Sequence, residues 1–293
     1  MTAKRYIELL KLRIGGMITL TALVSYLAMA EQVSLAHIAM LILVMMLGSA
    51  SSAVFNHFYD RDIDRKMERT STRPLATKEM GNPYNALWLA GGLIITGVGI
   101  ASWYFNPIVG LHLFLGAFVY GIVYTVWLKR RHWVNIIIGG AAGSFAVLAG
   151  AASVCPELCV LPLLLAVVLF LWTPSHFWAL AIFLKEEYRK VGVPMLPVVV
   201  GEQRAANWVL VNSILLVGSS LVPWYLGELG VIYGIGALIA GVLLLAGNWK
   251  MVQTPTRQEA WKNFIGSMRY LGILFLFLVI DAQTPEDFLN YLF

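Results

Sequence analysis

The apolar positions of this chain run together instead of alternating. Nine stretches, residues 14–30, 36–55, 86–104, 107–128, 134–154, 160–184, 208–226, 231–249 and 263–280, are nearly free of charge. Short polar segments separate them. Stretches of roughly 17–25 apolar residues are long enough to cross a bilayer as helices. Hydrocarbon offers no partner to a backbone N–H or C=O, so each crossing segment must satisfy its own hydrogen bonds, as a helix does. The pattern predicts an all-α polytopic membrane protein: nine transmembrane helices in a single domain over residues 1–293, with the lipid bilayer as their surroundings.

Composition agrees. Hydrophobic residues make up 59% of the chain and charged residues only 13%, against about 25% charge in a soluble domain. Mean hydropathy is +0.75. The charges also test the count of nine. With nine crossings, all 21 Lys and Arg fall on the side of the N-terminus, in the segments around residues 4–13, 61–78, 129–131, 185–204 and 250–269. The opposite side carries Glu31, Glu157, Glu228, Asp281, Glu286 and Asp287 and no basic residue. Adding or removing an interior crossing scrambles this segregation. The positive-inside rule then places the N-terminus in the cytoplasm and the C-terminus outside. The net charge of +5 follows from topology, so no nucleic-acid partner is read from it. Residues "AMAEQ" before the second stretch resemble a signal-peptidase site, but the first helix is expected to be retained. Cys155 and Cys159 share an outer loop, where a disulfide and two free thiols both fit.

One segment breaks the apolar pattern sharply. Residues 56–75, "NHFYDRDIDRKMERTSTRPL", follow an uncharged stretch, and nine of these twenty are Asp, Glu, Lys or Arg. If the second helix continues through it, Asn56, Asp60 and Asp64 fall within about 80° of one another on one face. Asp62 points elsewhere. Oxygen donors in a stripe suit a hard cation, and Mg²⁺ is commonly held by one or two carboxylates plus substrate phosphates. Arg and Lys beside the stripe suit the phosphates themselves. The competing reading is a solvated helix end laced with salt bridges. A second polar segment on the same side, "KEEYRKVGVPMLP" at 185–197, favours the site. Four crossings separate the two, as paired halves around one cavity would require.

These segments, with "YTVWLKRR", "NIIIGGAAG" and "LWTPSHFWALAIFLKEEYRKVGVPMLPVVVG", resemble the UbiA-type intramembrane prenyltransferases, and among them most closely the protohaem IX farnesyltransferases (haem O synthases). The resemblance covers nearly the whole chain. It implies nine helices around a central cavity opening to the cytoplasmic loops. It implies Mg²⁺ as cofactor and farnesyl diphosphate and protohaem IX as substrates, joined with addition of water. Candidate catalytic residues are Asn56, Asp60, Asp64, Glu186, Glu187 and Tyr188, the first three as metal ligands. Arg69, Arg73, Lys129 and Arg130 would hold the diphosphate. His176 and His57 are candidates for haem. Aromatic faces at Tyr120, Tyr124, Trp172, Phe177 and Trp178 can stabilise an allylic cation by roughly 0.5–2 kcal/mol each, though ordinary packing explains any one of them. His176 lies about 12 Å inside the sixth helix, two residues after Pro174, and an interhelical hydrogen bond is the alternative to a haem contact. For His57 the alternative is a lipid-headgroup position, and for Tyr188 it is interfacial anchoring.

The resemblance further implies the inner membrane of a bacterium and, as candidate partners, a haem A synthase or terminal oxidase assembly factors. The chain departs from the family pattern at Lys11-Leu12-Arg13, where Lys-Pro-Arg is usual, at His132-Trp133, where Thr-Pro is usual, and near Ala146-Val147, where a Pro-Pro pair is common. Two rival functions are a related prenyltransferase acting on a quinone precursor or chlorin, against which "TPSHFWALAIF" and "KEEY" argue by resemblance, and a repeat-containing membrane transporter, against which the acidic clusters at helix ends instead of the bilayer midplane argue.

Overall fold

The computed structural model describes residues 3–77 and 81–284, so Lys78, Glu286 and Asp287 lie outside the described residues. Among these, nine helices are long and apolar enough to cross a membrane. They are α1 (Leu12–Met29), α2 (Leu35–Tyr59), α3 (Tyr84–Tyr104), α4 (Pro107–Leu128), α5 (Asn135–Ala152), α6 (Val160–Phe183), α7 (Glu202–Tyr225), α8 (Val231–Gln253) and α9 (Arg257–Ala282). No strand occurs among the described residues. The expected crossings are all present. The largest differences in bounds are at α7 and α9, which begin about two turns before their apolar stretches. Polar residues continue a helix into the headgroup region as readily as apolar ones. Thr256 then starts α9 by accepting a hydrogen bond from the Glu259 amide at 3.3 Å, a side-chain cap of the usual kind.

The helices pack as two closed groups. In the first, α1, α2, α3, α4 and α5 follow one another and α5 returns against α1; in the second, α6, α7, α8 and α9 close with α9 against α6. Contacts of α5 with α6 and of α1 with α9 join them. Tyr26, Leu41, Val44, Val109 and Ala149 pack together in the first group. Leu169, Leu216, Tyr233, Leu274 and Leu278 do so in the second. Large apolar side chains such as Trp88, Ile95, Trp103, Leu215 and Val242 remain outside and exposed, as lipid as a solvent allows. Gly150 sets the closest approach of α1 and α5. A Cβ there would stand 2.0 Å from the Ala22 carbonyl oxygen, so a larger residue forces the helices apart.

Polar groups do the joining at the acidic face. Asp281, at the end of α9, accepts from the amides of Gly230 at 2.6 Å and Tyr233 at 3.1 Å. It thereby caps the start of α8 from another helix, satisfying donors that a helix N-terminus leaves unpaired. Asn106 caps α4 and donates to the Ala152 carbonyl at 2.7 Å. Cys155 and Cys159 are joined as a disulfide.

Towards the basic face three helices lose regularity. The last ten residues of α4, Val119–Leu128, form a π-helix. α5 is interrupted at Gly140 between Asn135–Gly139 and Ala141–Ala152. α6 carries Pro174 in its interior, and the Asn212 side chain donates to the Leu171 carbonyl at 2.6 Å in the turn before it. Such irregularities collect at functional sites because they aim side chains that a straight helix cannot.

Candidate active site

The polar stripe survives a break in its helix. α2 ends at Tyr59, and Asp60 adopts φ −90°, ψ 4° before one further turn, Arg61–Asp64. The amide of Asp60 still reaches the Asn56 carbonyl at 2.9 Å, and that of Asp64 reaches the Asp60 carbonyl at 2.8 Å. Asn56, Asp60 and Asp64 therefore stay one turn apart although the helix is not continuous. All three are buried, Asp60 completely.

Buried carboxylates need partners, because desolvation otherwise outweighs any gain. Each has one. Lys129 reaches Asp60 with an ion pair. Arg73 grips both oxygens of Asp64, at 2.9 and 2.8 Å. Asn56 donates to Asp60 at 2.7 Å and to Thr125 Oγ1 at 3.2 Å, and Thr125 donates on to the Tyr120 carbonyl at 2.8 Å. Lys11 donates to Asn56 Oδ1 at 2.8 Å. The π-helix explains how α4 meets the stripe with both Thr125 and Lys129: its wider turn bonds the Lys129 amide to the Tyr124 carbonyl, five residues back.

Lys11 was visible in the sequence only as part of a departing motif. It holds φ +48°, alone among the described non-glycine residues in having positive φ. That conformation is uncommon for a side chain with a Cβ. Burial, then the charges of Arg73 and Lys129, push its amine well below the usual lysine range. The substituted Leu12 stands at the first position of α1, where proline would also fit.

Not every expected diphosphate contact has the same setting. Arg130 is committed to the end of α2: it donates to both oxygens of Asp62 at 2.7 and 2.6 Å, to the Tyr59 carbonyl at 2.8 Å and to Asp60 at 3.4 Å. Those bonds hold the Asp62 carboxyl below its ordinary range and raise Arg130. Asp62, set aside from the stripe, is thus the partner of a cation. Arg69 is exposed and makes no ion pair among the described residues.

A cavity of about 350 Å³ opens beside the stripe, lined by Arg5, Glu8, Lys11, Ile14, His57, Thr72, Arg73 and Pro74. His57 is 3% exposed and both ring nitrogens are buried without a hydrogen-bond partner. Burial at that level corrects the headgroup alternative: a side chain among headgroups stays wet.

The second polar segment is built differently. Glu186 is exposed and paired with Arg189 one turn on, at 2.6 Å. Lys185 pairs with Glu202 at 3.0 Å. Glu187 keeps one buried carboxylate oxygen, Oε2, with no partner. Tyr188 is buried and packs in one cluster with Ile63, Met67 and Trp178. The two segments therefore contribute to one buried cluster, through Tyr188 and through Ile63 and Met67 near Asp64, but their carboxylates do not converge. Among the described residues no group of three His, Cys, Asp or Glu is close enough to hold a metal ion. The oxygen donors available are two carboxylates and the Asn56 amide, a set that fits Mg²⁺ only if substrate phosphate and water complete it.

His176 is buried between helices α6 and α9 and contacts Ser267. Of the aromatic candidates, Tyr120 and Tyr124 stack at 5.6 Å, with Lys129 5.9 Å from the Tyr124 ring. Trp172 stacks on His176. Trp178 is buried with an unpaired indole N–H. Phe177 is partly exposed. Thr125, Lys11 and Ser267 have no signal in the sequence, because each acts across more than forty residues.

Comparison with known proteins bears on this arrangement. The sequence model of the "UbiA prenyltransferase family" matches residues 17–278. A Protoheme IX farnesyltransferase 1 of Paramagnetospirillum magneticum is 57% identical over 97% of this chain and 100% of its own length. A second such protein of that organism is 44% identical over 92% of this chain and 94% of its own. The solved structure of a UbiA homolog from Archaeoglobus fulgidus bound to GPP and Mg²⁺ is 20% identical, covers 94% of this chain and 99% of its own, and superposes with a TM-score of 0.70.

Proposed function

Because the chain belongs to the UbiA prenyltransferase family, we propose that it transfers the farnesyl group of farnesyl diphosphate to a vinyl group of protohaem IX, with addition of water, giving haem O and diphosphate. The chain is a multi-pass membrane prenyltransferase. The observation that carries the acceptor is identity over nearly full length with relatives named for that reaction. It disfavours a quinone or chlorin acceptor and a transporter. The fold neighbour holding GPP and Mg²⁺ supports a divalent metal as cofactor, and the segregation of basic residues supports a cytoplasmic N-terminus in a bacterial inner membrane.

Asn56, Asp60 and Asp64 would hold Mg²⁺, and Glu187, whose carboxylate does not converge with theirs, would act on it only through metal-bound water. The fit rests on their buried oxygen donors, one turn apart; Lys11, Lys129 and Arg73, which each contact a member of the stripe, suit the anionic diphosphate. When bound, Mg²⁺ neutralises charge growing on the diphosphate as it leaves. Arg73 and Lys129 take phosphate oxygens in place of the carboxylates they now contact, and Arg69 has no competing ion pair among the described residues. Such preorganised charge commonly supplies the largest share of a rate enhancement. The farnesyl C1–O bond breaks with its electron pair passing to the diphosphate. The vinyl π electrons of the haem then form the new C–C bond. Water captures the resulting cation beside the pyrrole and loses one proton. Tyr120 and Tyr124 line the approach, and enclosure in the bundle keeps water from reaching the farnesyl cation first.

Purified protein in detergent, given protohaem IX, farnesyl diphosphate and Mg²⁺, should yield a haem heavier by one farnesyl chain plus the elements of water, and none with a chelator. Mass spectrometry of the pigment reads this. Unchanged haem, with diphosphate released only when a quinone precursor is supplied, would reassign the acceptor.

A further inference from the structure

The contact between α6 and α9 encloses a histidine apart from the charged stripe. His176 is 7% exposed. Its ring lies between Trp172, 4.3 Å away and tilted 17°, and Phe264, 4.4 Å away and tilted 30°. Those two plates fix the ring plane. The Trp172 indole N–H donates to the Ser267 carbonyl at 2.8 Å, which ties the same two helices together.

The hydrogens can be counted. His176 Nδ1 is 2.8 Å from Ser267 Oγ, and Ser267 Oγ is 2.8 Å from the Phe264 carbonyl oxygen. A serine hydroxyl has one hydrogen. If it goes to Phe264, Ser267 accepts from Nδ1–H and both hydrogens are used. If it goes instead to Nδ1, the ring hydrogen sits on Nε2, which has no partner among the described residues. The second arrangement would also leave two acceptor oxygens, Ser267 Oγ and the Phe264 carbonyl, facing each other at 2.8 Å with no hydrogen between them. The hydrogen therefore belongs on Nδ1 and the lone pair on Nε2. Unlike the nitrogens of His57, Nε2 is not sealed from the surrounding space.

A tied Nδ1–H, a clamped ring and an open Nε2 lone pair are the features of an imidazole metal ligand, in which the second nitrogen's hydrogen bond sets tautomer and basicity. We propose that Nε2 of His176 ligates the iron of the haem acceptor, with Ser267 as its supporting hydrogen-bond acceptor. The proposal rests on the haem reading given above. Trp178, two residues further along α6, belongs to the same buried cluster as Ile63 and Met67, which lie within three residues of Asp64. An acceptor pinned through its iron at His176 thus lies towards the same basic face as the diphosphate stripe, and its vinyl edge, not its metal, is left to react.

The test is to titrate the purified full-length protein with ferric protohaem IX and read the bound haem by absorption and, after reduction, by resonance Raman. An iron–histidine band is expected. His176→Ala should lose the band, weaken haem binding by about 10- to 100-fold, and regain a nitrogen-ligated spectrum when free imidazole is added. Ser267→Ala, which removes one hydroxyl, should keep the band and lower its frequency. A spectrum unchanged in His176→Ala would overturn the ligation and leave the haem reading standing. If that variant does not fold, an unshifted band in Ser267→Ala overturns it instead. Absence of haem binding by the unaltered protein would overturn both.

Discussion

The polar segments at 56–73 and at 185–190 stand on the same face, four crossings apart, and both mix acids with bases. Their surroundings differ. In the first, Asp60 and Asp64 are buried, and their partners lie beyond the next helical turn: Lys129 of the α4–α5 loop, 69 residues away, and Arg73, nine residues on. In the second, Glu186 is 73% exposed at its side chain and its partner Arg189 is three residues away. A local pair in water is worth little, about 0–1 kcal/mol. A buried pair fixed by tertiary structure is strong only while both members remain, and it leaves a charge exposed to low dielectric when one is removed. Composition alone does not separate these cases; burial and the origin of the partner do.

Breaking that contrast gives graded outcomes. Asp64→Ala should have the largest effect, lowering turnover about 1,000-fold or more, since it removes a proposed metal ligand from a site built on electrostatic stabilisation. Asp60→Asn, close in shape, should do nearly as much, which separates loss of charge from loss of packing. Steady-state formation of farnesylated haem at saturating Mg²⁺ measures both, and near-normal rates would reduce the stripe to a structural salt-bridge cluster. Lys129→Met comes next, at about 100-fold, because Arg130 still reaches Asp60 at 3.4 Å. Its inorganic diphosphate inhibition constant should rise in step. In the second segment, Glu187→Gln should cost about 10-fold, seen as a higher Mg²⁺ requirement with little change at saturating metal. Glu186→Gln should change turnover less than about 3-fold, within the reach of a surface pair. If Glu186 mattered more than Glu187, exposure would be a poor guide to this face.

The nine crossings were legible because the length and polarity of an apolar stretch are local properties, and because charge segregation checks their number. The stripe was legible for a similar reason. Positions 56, 60 and 64 share a face in any helix, and the hydrogen bonds of Asp60 and Asp64 preserve that spacing across the break at Asp60. What lay hidden depends on contacts between remote segments. Nothing near Thr125 signals a π-helix, nothing near Lys11 signals a reach of 45 residues to Asn56, and Asp281 read as one more outer acid. The paired-halves expectation was half legible: sequence placed both segments on one face, but only packing shows that Tyr188 shares a buried cluster with Ile63 and Met67 of the first.

The cap on α8 has a consequence for biogenesis. The carboxylate that satisfies the Gly230 amide lies 51 residues further along the chain. A ribosome completes α8 well before it makes Asp281, so the first turn of that helix waits with orphaned donors. An insertion intermediate without α9 therefore lacks this cap, and docking of the last helix supplies it.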